Sequence, residues 1–384
     1  MNVIIIGAGM GGTTAGIALQ NSGCRVEIYE AVKEIKPVGA AISIWPNGVK
    51  CLNLLGLHRK VKALGGNMAA MAYRDYRTGE TLTQFSLRPL VERVGEYPYP
   101  VARSDLQSML MDAFGRERIF LGKRLVKVED DGQEVIAWFE DGSKARGDLL
   151  IGADGAHSVV REYVLGHAVE RRYAGYVNWN GLIAADEAFA PRELWTTYVG
   201  QGKRVSLMPV AGGRFYFFFD VPLPKGLTPR PTEVTGDLLG YFDQWCAPVR
   251  RLIESLDPAA VNRVEIHDTD PLSQLVRGRV ALLGDAGHNA TPDIGQGGCA
   301  AMEDAVVLAG VLRTHSLGIE DALQRYQDKR RERVGSLVLK ARKRCDVTHG
   351  KDLAATELWY RSLESETGEH IIAGLAETVE GGPL

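Results

Sequence analysis

The sequence predicts an α/β protein that combines a parallel sheet with an α+β lobe built on a second, mostly antiparallel sheet, followed by C-terminal helices. Near its start, a β-branched segment runs into a glycine-rich turn and then into a helix-compatible segment. Two later apolar segments each run into a turn that contains an aspartate and precedes a helix start. Between those two segments the chain changes to long aromatic strands of alternating pattern. This succession of elements is typical of interleaved lobes, each with its own sheet.

Length and composition limit the classes of protein to which the chain can belong. With 384 residues it is too long for one simple core, and two or three interleaved lobes suit it. A hydrophobic fraction of 45% and a charged fraction of 24% are those of an ordinary globular protein. The net charge of −3 gives no basic field, so we expect no nucleic-acid partner.

The five cysteines are scattered and form neither a CxxC pair nor a His/Cys ligand pattern. The sequence therefore predicts no disulfide framework and no metal site. The apolar start lacks a basic lead and runs straight into glycines, which is not the pattern of a signal peptide. No later apolar run reaches the roughly 18 residues that span a bilayer. We expect a cytoplasmic protein with no membrane partner.

A dinucleotide-binding turn is predicted at the N-terminal end. Residues 2–6 form a β-branched run typical of a buried parallel strand, and residues 13–20 are compatible with a helix. In the turn between them, Gly7 permits the tight bend and Gly9 lets the backbone approach a pyrophosphate. Gly12 lets the helix pack close to the strand, while the helix N-terminus supplies N–H donors for phosphate.

An acidic residue completes this pattern. Residues 25–29 form a second strand, which ends in Glu30, eighteen residues beyond Gly12. A carboxylate at this position accepts hydrogen bonds from a ribose hydroxyl and disfavours a 2′-phosphate. Strand, glycines, helix, strand and acid in this order indicate a dinucleotide, and the choice between FAD and NAD stays open at this point.

Two further segments carry aspartates after buried strands. Residues 148–161 contain Asp154 in an Asp-Gly turn, and residues 279–288 contain Asp285 after a glycine, followed by the glycine-rich stretch 291–298. Taken singly, either aspartate could merely cap a helix. Taken together with the first turn, the three segments resemble the signature of the flavoprotein aromatic hydroxylases, the para-hydroxybenzoate hydroxylase-like class.

That resemblance implies FAD as the cofactor, bound by a Rossmann-like domain. It places Asp154 near the pyrophosphate, Asp285 on the ribityl chain and Arg103 near the FAD phosphates. The loop that contains Gly295, Gly297 and Gly298, together with the helix after it, would present backbone N–H groups to the flavin pyrimidine. Negative charge grows on this ring when the flavin is reduced. The sequence contains no second dinucleotide turn, so NADH is implied as a transient co-substrate, with the choice between NADH and NADPH left open.

The region between the second and third segments predicts a substrate domain. Residues 173–183 form one strand, and residues 204–209 and 214–220 form a hairpin closed by an Ala-Gly-Gly turn. Residues 71–85 also have strand character and are expected in the same sheet, which makes this domain discontinuous. The predicted division is FAD-binding residues 1–70, 101–172 and 271–345, substrate-domain residues 71–100 and 173–270, and a C-terminal helical segment at 346–384.

Two polar side chains stand out on the predicted hairpin. Arg204 and Tyr216 face the same space if the hairpin register is even, and both bring polar tips to an otherwise apolar sheet. The phenylalanines around them are predicted core residues. One interpretation is an Arg204–carboxylate pair that ties the lobes together. The other is a guanidinium and a phenol that recognise an anionic, planar, oxygen-rich ring.

The histidines and the C-terminal third of the chain are less informative about function. For His288, beside the third segment, a proton relay and a structural role both stay open, and His349 has no partner that the sequence reveals. The sequence also predicts a loop at residues 222–231 and helices within 233–256, 319–345 and 357–379. Residues 319–345 are rich in Lys and Arg, which predicts a solvated helix face.

A more specific resemblance involves the substrate domain as well. Several stretches from different parts of the chain resemble the bacterial FAD-dependent urate hydroxylases. These stretches are residues 29–41, 171–181, 291–304 and 340–346. This resemblance implies that Arg204 and Tyr216 are active-site residues and that Asp293 pairs with the arginine. The implied reaction hydroxylates urate at C5 through a flavin C4a-hydroperoxide, consumes NADH and O2, and gives 5-hydroxyisourate, water and NAD+.

Three other functions stay open from the sequence. The first is a hydroxylase of another anionic aromatic compound, such as a salicylate, hydroxybenzoate or hydroxynicotinate, whose carboxylate would meet Arg204. The second is a non-catalytic flavin-binding sensor, and the third is a flavin-dependent dehydrogenase or reductase that does not use oxygen. The oligomeric state is left open between monomer and homodimer.

Overall fold

Two large sheets organise the chain in the computed structural model. The structure describes residues 1–35, 40–227, 233–313 and 318–384. Part of the loop predicted at 222–231, and residues 36–39 of the stretch 29–41, lie outside these ranges. The strands are β1 (Asn2–Ile6), β2 (Arg25–Glu30), β3 (Ala41–Ile44), β4 (Ala70–Asp75), β5 (Thr81–Ser86), β6 (Tyr99–Ala102), β7 (Ile119–Leu121), β8 (Leu125–Asp130), β9 (Val135–Phe139), β10 (Lys144–Gly147), β11 (Leu149–Gly152), β12 (Arg172–Ala184), β13 (Leu194–Gly200), β14 (Lys203–Val210), β15 (Arg214–Pro222), β16 (Asn262–Asp268), β17 (Val276–Arg277) and β18 (Val280–Leu282). The helices are α1 (Met10–Asn21), α2 (Pro46–Leu54), α3 (His58–Leu64), α4 (Arg88–Val94), α5 (Arg103–Phe114), α6 (Val159–Leu165), α7 (Val234–Tyr241), α8 (Ala247–Glu254), α9 (Asp285–His288), α10 (Gly297–Leu312), α11 (Ile319–Thr348), α12 (Leu353–Leu363) and α13 (Glu369–Glu380).

The first sheet is mostly parallel. Its strand order is β17-β18-β11-β1-β2-β7, and among the described strands only β17 and β18 pair in antiparallel fashion. The apolar residues of β1 are buried, with Val3, Ile4 and Ile5 at most 2% exposed, as expected for a strand covered on both faces. Because β1 lies between β2 and β11, the glycine turn after it emerges at the carboxyl edge of the sheet, where ligands bind in such folds. The predicted Rossmann-like sheet is confirmed.

The second sheet is mostly antiparallel, with the order β16-β12-β15-β14-β13-β4-β5. Its two strands β4 and β5 come from a segment well before the others in the chain, so the predicted discontinuous sheet is confirmed. The predicted hairpin is formed by β14 and β15, in which Arg204 lies opposite Asp220 and Met208 lies opposite Tyr216. This even register places Arg204 and Tyr216 on the same face of the sheet, as expected.

The segment 233–256 forms two helices, where the sequence predicts a single helical stretch. Helix α7 ends at Tyr241, and α8 begins at Ala247 with Pro248 in its first turn. Proline has no N–H to donate to a preceding turn and its ring clashes with the carbonyl four residues earlier, so a helix restarts there and does not continue. Between the two helices the chain turns at Gln244, whose φ is 64°.

Helix α11 has the predicted solvated basic face, with Lys329, Arg331, Lys340 and Lys343 exposed, but one of its arginines is buried against acidic groups. Arg330 is 1% exposed, and its guanidinium donates to Glu303 at 2.9 Å and to Asp304 at 2.7 Å, both on α10. His288 lies 2.6 Å from the same Asp304, which supports the structural role for this histidine over a proton relay. Buried carboxylates need cationic partners because an unpaired buried charge is strongly destabilising, and α11 supplies those partners.

The chain ends in helices that pack against earlier elements. Helices α12 and α13 confirm the capping helices expected within residues 357–379. Helix α13 is tied to α4 by an ion pair between Arg93 and Glu380 at 2.5 Å. Within the ranges that the structure describes, no helix has both the length and the apolar character required to cross a bilayer.

We predict that the Asp304→Asn variant is less stable because His288 and Arg330 lose their shared anionic partner. Burial raises the pKa of Asp304, but His288 and Arg330 outweigh this effect and lower the pKa to about 2. A carboxyl group whose pKa falls on folding stabilises the protein above its unfolded pKa of about 3.9, and this contribution is lost as the pH falls through the folded pKa. We expect D304N to lower the free energy of unfolding at pH 7 by about 3 to 5 kcal/mol.

Denaturant titrations at pH 7 and at several acidic pH values measure this effect, and D304N should lose less stability between about pH 4 and pH 2 than the parent. Glu254→Gln is the control because it removes an exposed partner of Arg250 and should change stability little. Equal free energies of unfolding for D304N and the parent would show that the cluster does not stabilise the fold.

Candidate active site

The glycine turn after β1 leaves its backbone open at one position. Gly7 has a φ of 103°, and a Cβ at Gly7 would overlap the carbonyl oxygen of Ala153. A Cβ at Gly12 would overlap the carbonyl oxygen of Gly7, so the helix can approach the strand only without a side chain there. A Cβ at Gly9 would meet no protein atom within 4 Å. The turn is therefore closed against the protein at Gly7 and Gly12 and open at Gly9, where a pyrophosphate can approach.

Glu30 is fixed beside this turn at the carboxyl end of β2. One of its carboxylate oxygens accepts a hydrogen bond from the Ala8 N–H at 2.8 Å, and the other accepts from the Val32 N–H at 3.0 Å. A carboxylate can accept about four hydrogen bonds, so lone pairs remain for a ribose hydroxyl. The residues around the turn thus fit the adenosine and pyrophosphate parts of FAD.

The second segment has a clear structural role. The carboxylate of Asp154 accepts hydrogen bonds from the Ser158 hydroxyl at 2.5 Å and from the N–H groups of Val159 and Val160 at 2.8 and 3.2 Å. Asp154 therefore holds the N-terminus of α6, which is the helix-capping interpretation that the sequence left open. Its contact with the pyrophosphate remains a prediction.

The third segment presents groups that fit the rest of the cofactor. Asp285 is the first residue of α9 and is exposed, and its carboxylate lies beside Gly297 at the start of α10. Within α10 the first N–H that is bonded inside the helix is that of Ala300, so the positive end of this helix is available to an electron-rich ring. The glycines here have no room for a side chain. A Cβ at Gly295 would lie 2.7 Å from the indole nitrogen of Trp45, and a Cβ at Gly298 would overlap Ile42.

Arg103 is the first residue of α5 and is exposed. Its contact with the FAD phosphates also remains a prediction.

Arg204 lies between two buried carboxylates. Its Nε donates to Asp220 on the neighbouring strand, and its Nη2 donates to Asp293 at 3.0 Å. The side chain of Arg204 is 13% exposed, whereas both carboxylates are fully buried. The Arg204–Asp293 pair implied by the family resemblance is present, whereas the contact with Asp220 was not predicted from the sequence. Nη1 is the guanidinium nitrogen that neither carboxylate engages.

Tyr216 of β15 lies on the same face as Arg204 of β14, and the ring of Phe218 lies between the two side chains. The Arg204 guanidinium carbon lies 5.2 Å from the centre of the Phe218 ring, and that ring lies 5.5 Å from the ring of Tyr216. Burial, followed by the charge of Asp220, holds the pKa of Tyr216 well above its usual value. Tyr216 therefore remains a neutral phenol, able to donate a hydrogen bond to a bound ring.

Asp293 has two further partners that the sequence did not reveal. The Tyr176 hydroxyl donates to one of its oxygens at 3.0 Å, and Nε2 of His349 lies 3.1 Å from the other. The rings of Tyr176 and His349 are stacked with centres 3.8 Å apart. Burial raises the pKa of Asp293, but Arg204 and then His349 outweigh it and hold the pKa well below its usual range. The carboxylate is ionised and fixed by three parts of the chain.

Comparison with known proteins agrees with this geometry. Residues 1–341 match the family described as FAD binding domain, so the fold and the site define a FAD-binding flavoprotein of that family and the predicted cofactor is confirmed. A FAD-dependent urate hydroxylase of Klebsiella pneumoniae is 60% identical over 384 residues, with all of both chains covered. One of Mycolicibacterium vanbaalenii is 54% identical over 386 residues, covering 100% of this chain and 98% of the relative.

A solved structure gives the same result in three dimensions. The crystal structure of Klebsiella pneumoniae HpxO complexed with FAD and uric acid has a TM-score of 0.98 and 59% identity, covering 100% of this chain and 97% of that one. The chain belongs to the family of FAD-dependent urate hydroxylases.

We predict that Gly9→Ala and Gly12→Ala separate cofactor binding from folding. Gly9 has a φ of −66°, which alanine adopts readily, and its Cβ would enter the open space, so G9A should fold normally and bind FAD about 10-fold or more weakly. G12A should instead lose stability because its Cβ overlaps backbone. Flavin-fluorescence titration of the apoprotein measures the first effect and thermal unfolding the second. Unchanged FAD affinity in a folded G9A would exclude a close backbone approach at this turn.

Proposed function

We propose that this chain hydroxylates urate at C5 to 5-hydroxyisourate, with NADH as the reductant and O2 as the source of the transferred oxygen. The balanced reaction is urate, O2, NADH and a proton giving 5-hydroxyisourate, water and NAD+. The observation that carries the proposal is the fixed Arg204 between Asp220 and Asp293, on the same sheet face as Tyr216, in a chain of the urate hydroxylase family. Bound FAD supplies the redox chemistry that neither the ring nor the protein side chains can supply.

Arg204 acts as an oriented hydrogen-bond donor. The two buried carboxylates Asp220 and Asp293 compensate the charge of Arg204, so the guanidinium does not attract every anion equally. Its Nη1 is directed by the two carboxylates that hold Nε and Nη2. Such a donor suits a ring whose negative charge is spread over several oxygen and nitrogen acceptors. A compact carboxylate, as in salicylate, is better bound by a guanidinium that has two free nitrogens.

Tyr216 supplies a second donor on the same face. Since its phenol stays neutral, it can donate to a ring oxygen or nitrogen without adding negative charge to the site. The apolar residues around it, including the fully buried Phe217 and Phe219 on the opposite face, keep the strand rigid. Together the two donors orient the ring so that C5 faces the flavin and keep water from replacing it.

The proposal places the reaction in the cytoplasm, with NADH binding transiently. The five cysteines of the chain are all free thiols, and four of them are buried, which suits a reducing compartment. No separate nicotinamide turn occurs in the sequence, so the reductant leaves after each turnover.

We predict that purified protein oxidises NADH faster with urate, and that urate, NADH and O2 disappear in equal amounts. Arg204→Gln should keep FAD but lower kcat/KM for urate by about 100-fold, because a charged, oriented donor is lost. Absorbance of urate and of NADH, together with an oxygen electrode, measures the stoichiometry. Arg250→Gln, which changes an exposed arginine, is the matched control and should behave as the parent.

A basal NADH oxidation rate that urate leaves unchanged would contradict the proposal. Salicylate, 3-hydroxybenzoate and 6-hydroxynicotinate then become the test compounds. Turnover of one of these acids in place of urate would assign the site to another anionic aromatic substrate.

We predict that Tyr216→Phe lowers kcat/KM for urate about 10-fold while the pH profile keeps its shape, because Tyr216 contributes a hydrogen bond and does not titrate. A phenol whose pKa is raised remains protonated up to and beyond pH 10.0, its ordinary value, so no alkaline limb belongs to it. Initial rates from pH 6 to pH 10 for both proteins test this. An alkaline limb that is present in the parent and absent from Y216F would assign a proton-transfer role to the phenol.

A further inference from the structure

A row of three polar side chains crosses the second sheet at Arg204. Asp220 of β15 lies opposite Arg204 of β14 on one side and opposite Asn178 of β12 on the other. Residues directly opposite one another on antiparallel strands have neighbouring Cβ atoms, so the three side chains meet on one face. Asp220 is the central member of this row, and its side chain is fully buried.

Both oxygens of Asp220 accept hydrogen bonds. One accepts from Nε of Arg204, and the other accepts from the amide nitrogen of Asn178 at 2.6 Å. The amide oxygen of Asn178 in turn accepts from the amide nitrogen of Asn180 at 2.6 Å. This chain fixes the orientation of the Asn178 amide, so that its NH2 group points at Asp220. An asparagine at position 220 would have to direct its own NH2 group at one of two donors.

The two carboxylates on Arg204 belong to different parts of the molecule. Asp293 lies in the loop between α9 and α10, which also carries Gly295 and leads into the glycines at the start of α10, next to the predicted flavin site. Asp220 lies within the sheet, one strand from Arg204. Asp293 thus couples the guanidinium to the flavin side, whereas Asp220 holds it to the sheet.

We propose that Asp220 is a positioning residue that sets the direction of Arg204 from the sheet side. By engaging Nε, it fixes the guanidinium plane, and with Nη2 held by Asp293 this leaves Nη1 directed at the substrate. Asn178 supports the same geometry by holding the second oxygen of Asp220. This inference rests on the proposed function, because it concerns the orientation of urate in the same site.

The test compares Asp220→Asn with the parent holoenzyme. The variant keeps the size of the side chain but loses one of its two acceptors, so Arg204 should rotate and the ring should be misaligned. We expect FAD to stay bound, kcat/KM for urate to fall about 10- to 100-fold, and urate-stimulated NADH oxidation to yield more hydrogen peroxide and less hydroxylated product. That side reaction balances as NADH, O2 and a proton giving NAD+ and H2O2. The ratio of peroxide to urate consumed is the decisive measurement, because a purely structural role would not change it.

Asp268→Asn is the matched control. Asp268 is another fully buried carboxylate of the same sheet that binds two arginines, Arg172 and Arg342, each at 2.8 Å. D268N should lower the thermal midpoint and leave the peroxide ratio and the KM for urate unchanged. If D220N keeps the parental kcat/KM and peroxide ratio while the parent hydroxylates urate, the inference is wrong and the proposed function stands.

Asp220→Glu decides the matter if D220N does not bind FAD. It retains the charge but displaces the carboxylate by one methylene, so a positioning role predicts a higher peroxide ratio, and a parental ratio would overturn the inference. A parent enzyme that does not hydroxylate urate at all would overturn the proposed function and the inference with it.

Discussion

The guanidinium of Arg204 can be held in a largely buried position only where carboxylates compensate its charge, and this requirement shapes the region around it. An ion taken out of water without partners costs several kcal/mol even after relaxation. Arg204 meets this requirement with one carboxylate from its own sheet and one from a loop of the other sheet. These two ion pairs tie the two sheets together and also direct Nη1 of Arg204, the nitrogen that neither carboxylate engages. The two interpretations that the sequence left open, a tie between lobes and a recognition group, are therefore compatible.

Compensation of buried charge also shapes the region on the other side of the loop that carries Asp293. Helix α10 carries Glu303 and Asp304 into the interior, where Arg330 of α11 compensates both. Gly297 and Gly298 begin the same helix, so the buried ion cluster fixes the helix end that is predicted to face the flavin. The loop from Thr291 to Gln296 is thus anchored at one end by Arg204 and at the other by α10. A shift of this loop would disturb the compensation of buried charge at Arg204 on one side and at α10 on the other.

The parts of this arrangement that the sequence predicts are those set by short-range spacing. The turn at Gly7, Gly9 and Gly12 follows from about 30 consecutive residues, and the even register of the β14–β15 hairpin follows from a three-residue connection. The partners of Asp293 could not be predicted in this way, because Tyr176 lies 117 residues away and His349 lies 56 residues away. The role of Asp220 had a weak signal, an acid among phenylalanines facing an arginine. The burial of Arg330 was hidden because α11 carries arginine and lysine on its exposed side as well.

Charge compensation also bears on how such a site can discriminate between substrates. An uncompensated arginine would bind any anion of suitable size, because its attraction depends mainly on distance. Arg204, with two carboxylates on it, gains little from net charge and depends on the direction of its remaining N–H groups. The direction of the Arg204 guanidinium is set on the second sheet by Asp220 and from the loop before α10 by Asp293. A nucleotide-binding framework shared by many hydroxylases can therefore serve different rings through changes in a few cross-strand residues of the second sheet.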